Sequence, residues 1–545
     1  MKGFTGTFRI QGKRFYAVVS ILLICFSVTV CEVSRETAPD PLSYNEAVKE
    51  VIFTGNIAAV DFNNLYHHDI YLVKINGSGY IVPARNTGGV AQALSIISSE
   101  DNTVMPYSPQ YSVPRYPRAI QEFHVSPPPF DNEARHAGRL PADLLFFRVG
   151  DKKNFWVERY FRENYTTDWE NKPATLMASG DHVNIWVADT NTSSGRSKNK
   201  ITTSQAEELV GRFDMAYPLT TNLLGYEFGG GPGGDGGMDG DKKIQIFIYD
   251  IVDEHGEVAA AGYFAPTDFY MQAELDGRGY KSNMAEIFYI DASSLVYYPD
   301  YTYSTLIHEF QHMIHFNRKF VKLGLNSSTW FNEMLSEMAD DVISPLIGIG
   351  HTNIDHPISV EIPTFLNSYY MNGITEWEFL GSGSYAKAYA FGAYLMRNYG
   401  GPAFLKRVLD NNKVDIDSLT LALKEFSADM DFGKALTRYG EALIFSGSSL
   451  PQDGANGISA VTFDKTAAST INGQVYTAYG FNIWQMRRSG TNDRGPLVLG
   501  FETASMRPYS VIIESSSQWK DKTGDFSIML EKPSNQNVVL FLMAR

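Results

Sequence analysis

Residues 304–316 read STLIHEFQHMIHF. His308 and His312 stand four apart, just over one turn of an α-helix, so both imidazoles leave the same face and can share one ion. Glu309 sits beside that face, where a carboxylate reaches a metal-bound water without ligating the metal. Ser304 is a candidate helix cap, and Leu306, Ile307, Phe310, Met313 and Ile314 supply an apolar surface for a core. A helix burying two histidines and a glutamate with no partner ion would carry a large desolvation cost. That argues for a metal site over two core histidines.

Catalytic zinc takes three protein ligands and keeps a fourth position open. A third histidine six residues on would require Gly at 315 and His at 318; the chain has His315 and Arg318, which excludes that arrangement. The inverted HxxEH order is absent as well. A glycine-containing loop, VKLGLNSS, leads instead into TWFNEMLSEMAD, residues 329–340. Glu333 and Glu337 are four apart and share a helix face. If Glu333 completes the site, Glu337 lies one turn away and can accept the ring N–H of a ligand histidine. The competing reading, two solvated helix acids, fits poorly with an otherwise apolar segment.

HEFQH at 308–312 followed by NEMLSE at 332–337 resembles the thermolysin-type zincins, the gluzincins, whose third ligand is a glutamate in an NExxS[D/E] context. The wider stretch from 175 to 400 is similar to the hyicolysin-like family of secreted bacterial neutral metallopeptidases. The shared features are NIWVAD, RFDMAYP, IFIYD, AGYF with the acid two past its proline, SNMAEIFYID, the HEFQH helix and NEMLSEMAD. The resemblance implies zinc on His308, His312 and Glu333, Glu309 as general base, and Glu337 as outer partner of His308. It implies a Tyr or His donor to the oxyanion from the helical half after the third ligand. Tyr385, Tyr389, His351 and His356 are the candidates, with Tyr385 preferred because it opens a helix-like run. It also implies a substrate-pairing edge strand at 285–291, with Asn283 and Ala285 among its substrate contacts; an ordinary core strand is the alternative.

Around this centre the text changes twice. Strand-like segments, DIYLVKI and GYIVPA among them, precede residue 104. Residues 105–141 then hold eight of the 24 prolines and read as a linker or strap. LLFFRV, FWVERYF and HVNIWVAD resume strand text. Ser204 and Glu207 read as a capping box opening a helix over QAEELVGRFDMAY. Helical text dominates from 304 to 448, and strands return to the end. The expected fold is α+β, a zincin-like, thermolysin-type catalytic core with flanking β-rich domains: 32–104, a linker 105–141, the peptidase domain 142–450 and a β-sandwich-like domain 451–545. The glycine-rich loop 225–243 places Asp235, Asp239 and Asp241 where they could offer oxygens to calcium; a solvated loop is the blander reading.

The amino terminus carries Lys2, Arg9, Lys13 and Arg14, no acid, and then the apolar run YAVVSILLICFSVTVC. That is the pattern of a secretory signal over 1–31. Both cysteines, Cys25 and Cys31, fall inside it, so the body holds no internal disulfide. Cys31 ends the run where a lipoprotein is acylated, so membrane attachment through a lipidated Cys31 stands beside plain cleavage, although Val30 is not the usual preceding residue. The chain has 545 residues with 46 basic and 61 acidic side chains, net −15. It lacks the basic face that nucleic acid requires. The expectation is a secreted or surface-anchored zinc endopeptidase, acting on protein or peptide substrates through Glu-activated zinc-bound water. The alternative is a surface-binding or adhesion lipoprotein whose peptidase-like domain is inactive or acts on another amide substrate.

Overall fold

The computed structural model describes residues 42–83, 119–120, 147–161, 166–251, 260–378, 382–448, 451, 459–501, 505–533, 535 and 537–545. The expected signal segment with Cys25 and Cys31, and most of the proline-rich linker, lie outside the described residues. Among those described, no helix is long and apolar enough to cross a membrane.

A seven-stranded mixed sheet organises the central part. In chain order its strands are β1 (Ala119–Ile120), β2 (Lys152–Phe161), β3 (Thr166–Ser179), β4 (Val183–Ala188), β5 (Ile244–Tyr249), β6 (Gly262–Phe264) and β7 (Ile287–Asp291). They lie side by side as β1-β6-β7-β5-β4-β3-β2. The runs VNIWVA, IQIFIY and IFYID are buried along their whole length, as parallel strands covered on both faces must be. One face carries helices. On the other, Phe155, Trp186, Phe247 and Tyr289 form a separate apolar layer.

The helical half comprises α1 (Thr203–Leu224), α2 (Pro299–His315), α3 (Thr329–Ile343), α4 (Pro357–Ser368), α5 (Ser382–Asn398), α6 (Pro402–Asp410), α7 (Asp415–Phe426) and α8 (Phe432–Phe445), with shorter turns between. Helix α1 starts two residues earlier than the capping box at Ser204 predicts. Thr202 and Gln205 form the box instead, an equally good pattern that the preceding chain direction selects. The helix also runs past Pro218 to Leu224.

The segments read as separate N- and C-terminal β domains are interleaved. Ile70–Asn76 is an inner strand of a four-stranded sheet, paired with Val511–Glu514 on one side and Val538–Ala544 on the other. Val48–Glu50 adds beyond Val538–Ala544, and Ile57–His68 pairs with Lys522–Glu531. Phe62, Leu72, Ile512, Trp519, Leu540 and Leu542 share one core. Lys74 and Glu514 meet at 2.7 Å with both side chains fully buried, an ion pair between the two ends of the chain. Alternating apolar text marks a strand but carries no record of its partner, which is why two modules were expected where there is one. A chain beginning at residue 84 would leave an inner position of this sheet empty. It should lose cooperative unfolding in calorimetry and leave the monomer peak in size-exclusion chromatography; wild-type unfolding would show that the strand is dispensable.

Candidate metal centre

Strand β7 leads through the short helix Ala292–Tyr297 into α2. Helix α2 opens on Pro299, where a missing N–H costs nothing. Every residue from Tyr301 to His315 is buried, so His308, Glu309, Gln311 and His312 are enclosed on all sides. Ser304, read as a cap, lies inside α2 because Pro299 starts the helix a turn earlier. Its hydroxyl donates to Asp340 Oδ2 of α3 at 2.8 Å and ties the two helices together.

Helix α3 presents Glu333, Ser336, Glu337, Asp340 and Asp341, all buried. His308, His312 and Glu333 each offer one ligand atom, and the three atoms lie within 4.8 Å of one another. His308 Nε2 is 2.9 Å from Glu333 Oε2, and His312 Nε2 is 3.4 Å from the same oxygen. Two imidazole nitrogens and one carboxylate oxygen form the protein donor set of a zinc-type site.

The other ring nitrogens are held from behind. His308 Nδ1 lies 3.3 Å from Glu337 Oε1. His312 Nδ1 lies 3.1 Å from Ser336 Oγ, whose own proton goes to Gln311 Oε1. Each ring thus turns Nδ1 toward a polar neighbour on α3 and leaves Nε2 to face Glu333. Ser336 was missed by sequence reasoning; its signal was there in the NExxS pattern, one turn beyond Glu333.

Burial works against a charged His308, but hydrogen bonds to Glu333 and Glu337 outweigh it and raise the imidazole to about 10. Burial also pushes the Glu333 carboxyl up. The charge of His312 and the hydrogen bonds from both histidines more than reverse that, holding it down to about 2. His312 is lowered, chiefly by burial. A proton held between His308 and Glu333 therefore competes with any metal ion for the same atoms.

Of the four candidate donors, Tyr385 in α5 reaches the cluster: its hydroxyl is 3.4 Å from Glu333 Oε1. Burial first, then the charges of Glu333, Glu309 and Glu337, push its phenol well above the usual range. Glu309 is itself fully buried. The other three are occupied elsewhere. Tyr389 is buried one turn further along α5, where burial and the Asp341 charge push its phenol well up, His356 caps α4 through the Ile358 N–H at 3.2 Å, and His351 stacks on Tyr479.

Asn283 and Ala285 are not brought to the cluster as edge contacts. The Asn283 amide clamps the Trp156 backbone, accepting at 2.8 Å and donating at 2.9 Å, and Ala285 is fully buried. Strand β7 is paired on both sides, by β6 and β5, so its hydrogen-bonding groups are spent within the sheet. Its neighbour β6 packs on α2 near Thr305 and is itself paired outward with the two-residue β1, which is the sheet edge among the described residues. Asp268, the acid past the AGYF proline, accepts from the Asn283 N–H and the Tyr289 hydroxyl and holds this corner together. In the glycine-rich loop, Asp235, Asp239 and Asp241 each accept a backbone N–H two residues on, the role of turn caps.

A helix pair carrying His-x-x-x-His and Glu ligands with outer-sphere acceptors is the site of a metallopeptidase. The family model for Peptidase M30 matches residues 169–465, and the chain belongs to that family. Neutral metalloprotease ShpI of Staphylococcus hyicus is 26% identical over 389 residues, covering 67% of this chain and 79% of that protein.

Two outcomes follow. Glu337→Gln and Ser336→Ala should each weaken zinc binding by about 10–100-fold in competition with a chelating dye, without loss of fold. Zinc affinity should fall as pH drops from about 8 to about 6, because His308 must give up its proton, and calorimetry in two buffers should detect proton release.

Proposed function

We propose that the protein is an exported zinc endopeptidase in which His308, His312 and Glu333 hold the metal. The convergence of three buried ligand atoms within 4.8 Å, in a chain of the Peptidase M30 family, carries this reading. The basic and apolar amino terminus supports export. When bound, zinc supplies Lewis acidity toward a carbonyl oxygen and lowers the pKa of water into the neutral range.

The chain's own residues do the rest. Glu309 takes a proton from the attacking water as its oxygen bonds to the peptide carbonyl carbon. The same carboxyl returns that proton to the departing amine as the C–N bond breaks. The Tyr385 hydroxyl donates to the carbonyl oxygen as negative charge gathers there. Burial of the helix pair keeps bulk water from the charges and strengthens each interaction.

Casein hydrolysis by the purified protein should be abolished by Glu309→Gln and by a zinc chelator, and restored to wild type on adding zinc. Equal inactivity of wild type and Glu309→Gln with zinc still bound would favour the surface-binding reading instead. Tyr385→Phe should lower kcat by about 100-fold with KM little changed. A loss confined to KM would remove Tyr385 from the oxyanion role.

A further inference from the structure

The wall of the site beyond Tyr385 comes from the loop just before α5, and a part of the chain far away in sequence holds that loop. Trp377 is partly exposed, and its ring meets Tyr385 edge-on at 4.8 Å between centroids. Tyr385 in turn touches Glu333. One aromatic ring therefore separates Trp377 from a metal ligand, and the indole still presents surface to solvent.

The loop that carries Trp377 is gripped by the interleaved β module. A Cβ added at Gly373 would stand 1.7 Å from the Pro508 carbonyl oxygen, so backbone lies directly on backbone there. The Ile374 N–H donates to the Tyr509 carbonyl at 3.3 Å. Arg507 forks onto Glu376, Nη2 to Oε1 at 2.6 Å and Nε to Oε2 at 2.8 Å. Glu376 Oε2 also accepts the Gly373 N–H at 2.7 Å, closing the turn, and Lys387 of α5 donates to the Glu376 carbonyl. Arg507 is 38% exposed, so the ion pair orients more than it stabilises. The close Gly373–Pro508 approach is the firmer constraint.

We propose that Trp377 is a specificity-determining residue, a flat apolar wall for a large apolar side chain flanking the scissile bond, held in place by the β module through the Gly373–Pro508 contact. The inference rests on the assignment of Tyr385 to the metal site. It gives the flanking module a part in substrate selection. Tethering a wall residue from a separately packed layer fixes its position without requiring the loop itself to be rigid.

Binding in the Glu309→Gln background tests this independently of turnover. Two fluorescein-labelled heptapeptides, identical except for Phe or Ala at the two central positions, are titrated by anisotropy. The Phe peptide should bind roughly tenfold tighter. Trp377→Ala should bring the two within about twofold, while Trp377→Phe keeps most of the preference. Gly373→Ala should shift the loop and cause a comparable loss, and the double variant should be no worse than Trp377→Ala alone. Trp377→Gln serves if the alanine variant loses its folded circular dichroism. A preference that survives loss of the indole overturns the wall. Additive losses in the double variant overturn the tether. Failure of wild type to cleave either peptide would count against the proposed hydrolysis and leave the binding comparison intact.

Discussion

The structure depends on an interface between two helices that is charged yet dry. His308, Glu309 and His312 on α2 face Glu333 and Glu337 on α3, and none is more than 1% exposed. Sinking so many ionisable groups away from water costs several kcal/mol per ion unless each finds a partner. Much of the surrounding architecture supplies partners. Glu337 and Ser336 take the rear nitrogens of the histidines, and the front atoms converge where an ion can neutralise them.

The helices that present these groups are locked by a second tier of polar contacts. Ser304 of α2 donates to Asp340 of α3. Arg397 of α5 forks onto Asp341 at 2.8 and 3.2 Å, also fully buried. Helix α5 is the one that delivers Tyr385, so one ion pair links the third ligand's helix to the candidate oxyanion donor. Such an arrangement limits small displacements at the site, which matters because metal geometry and proton transfer both degrade over fractions of an ångström.

Much of the centre was legible in the chain. A four-residue spacing on a helix puts two side chains on one face whatever the fold, so His308 with His312 and Glu333 with Glu337 could be paired from spacing alone. The runs of β4, β5 and β7 were legible as strands because burial on both faces demands continuous apolar text. Less was legible where a role depends on neighbours. Asn283 looked like a substrate contact and is a clamp on Trp156, because β7 is an inner strand paired on both sides. Ser304 looked like a cap and is a cross-helix donor, because Pro299 moved the helix start.

The sequence by itself determined which residues could hold a metal together, since ligand type and helical period are local properties and survive without knowledge of the fold. Only the tertiary structure decided what lies behind and beside them. It brought Ser336 to His312 and Tyr385 to Glu333, and it set Ile70–Asn76 between strands more than four hundred residues further along the chain. Those choices turn on which apolar faces and hydrogen-bonding edges satisfy one another across long separations. No periodicity in a single segment records its partner.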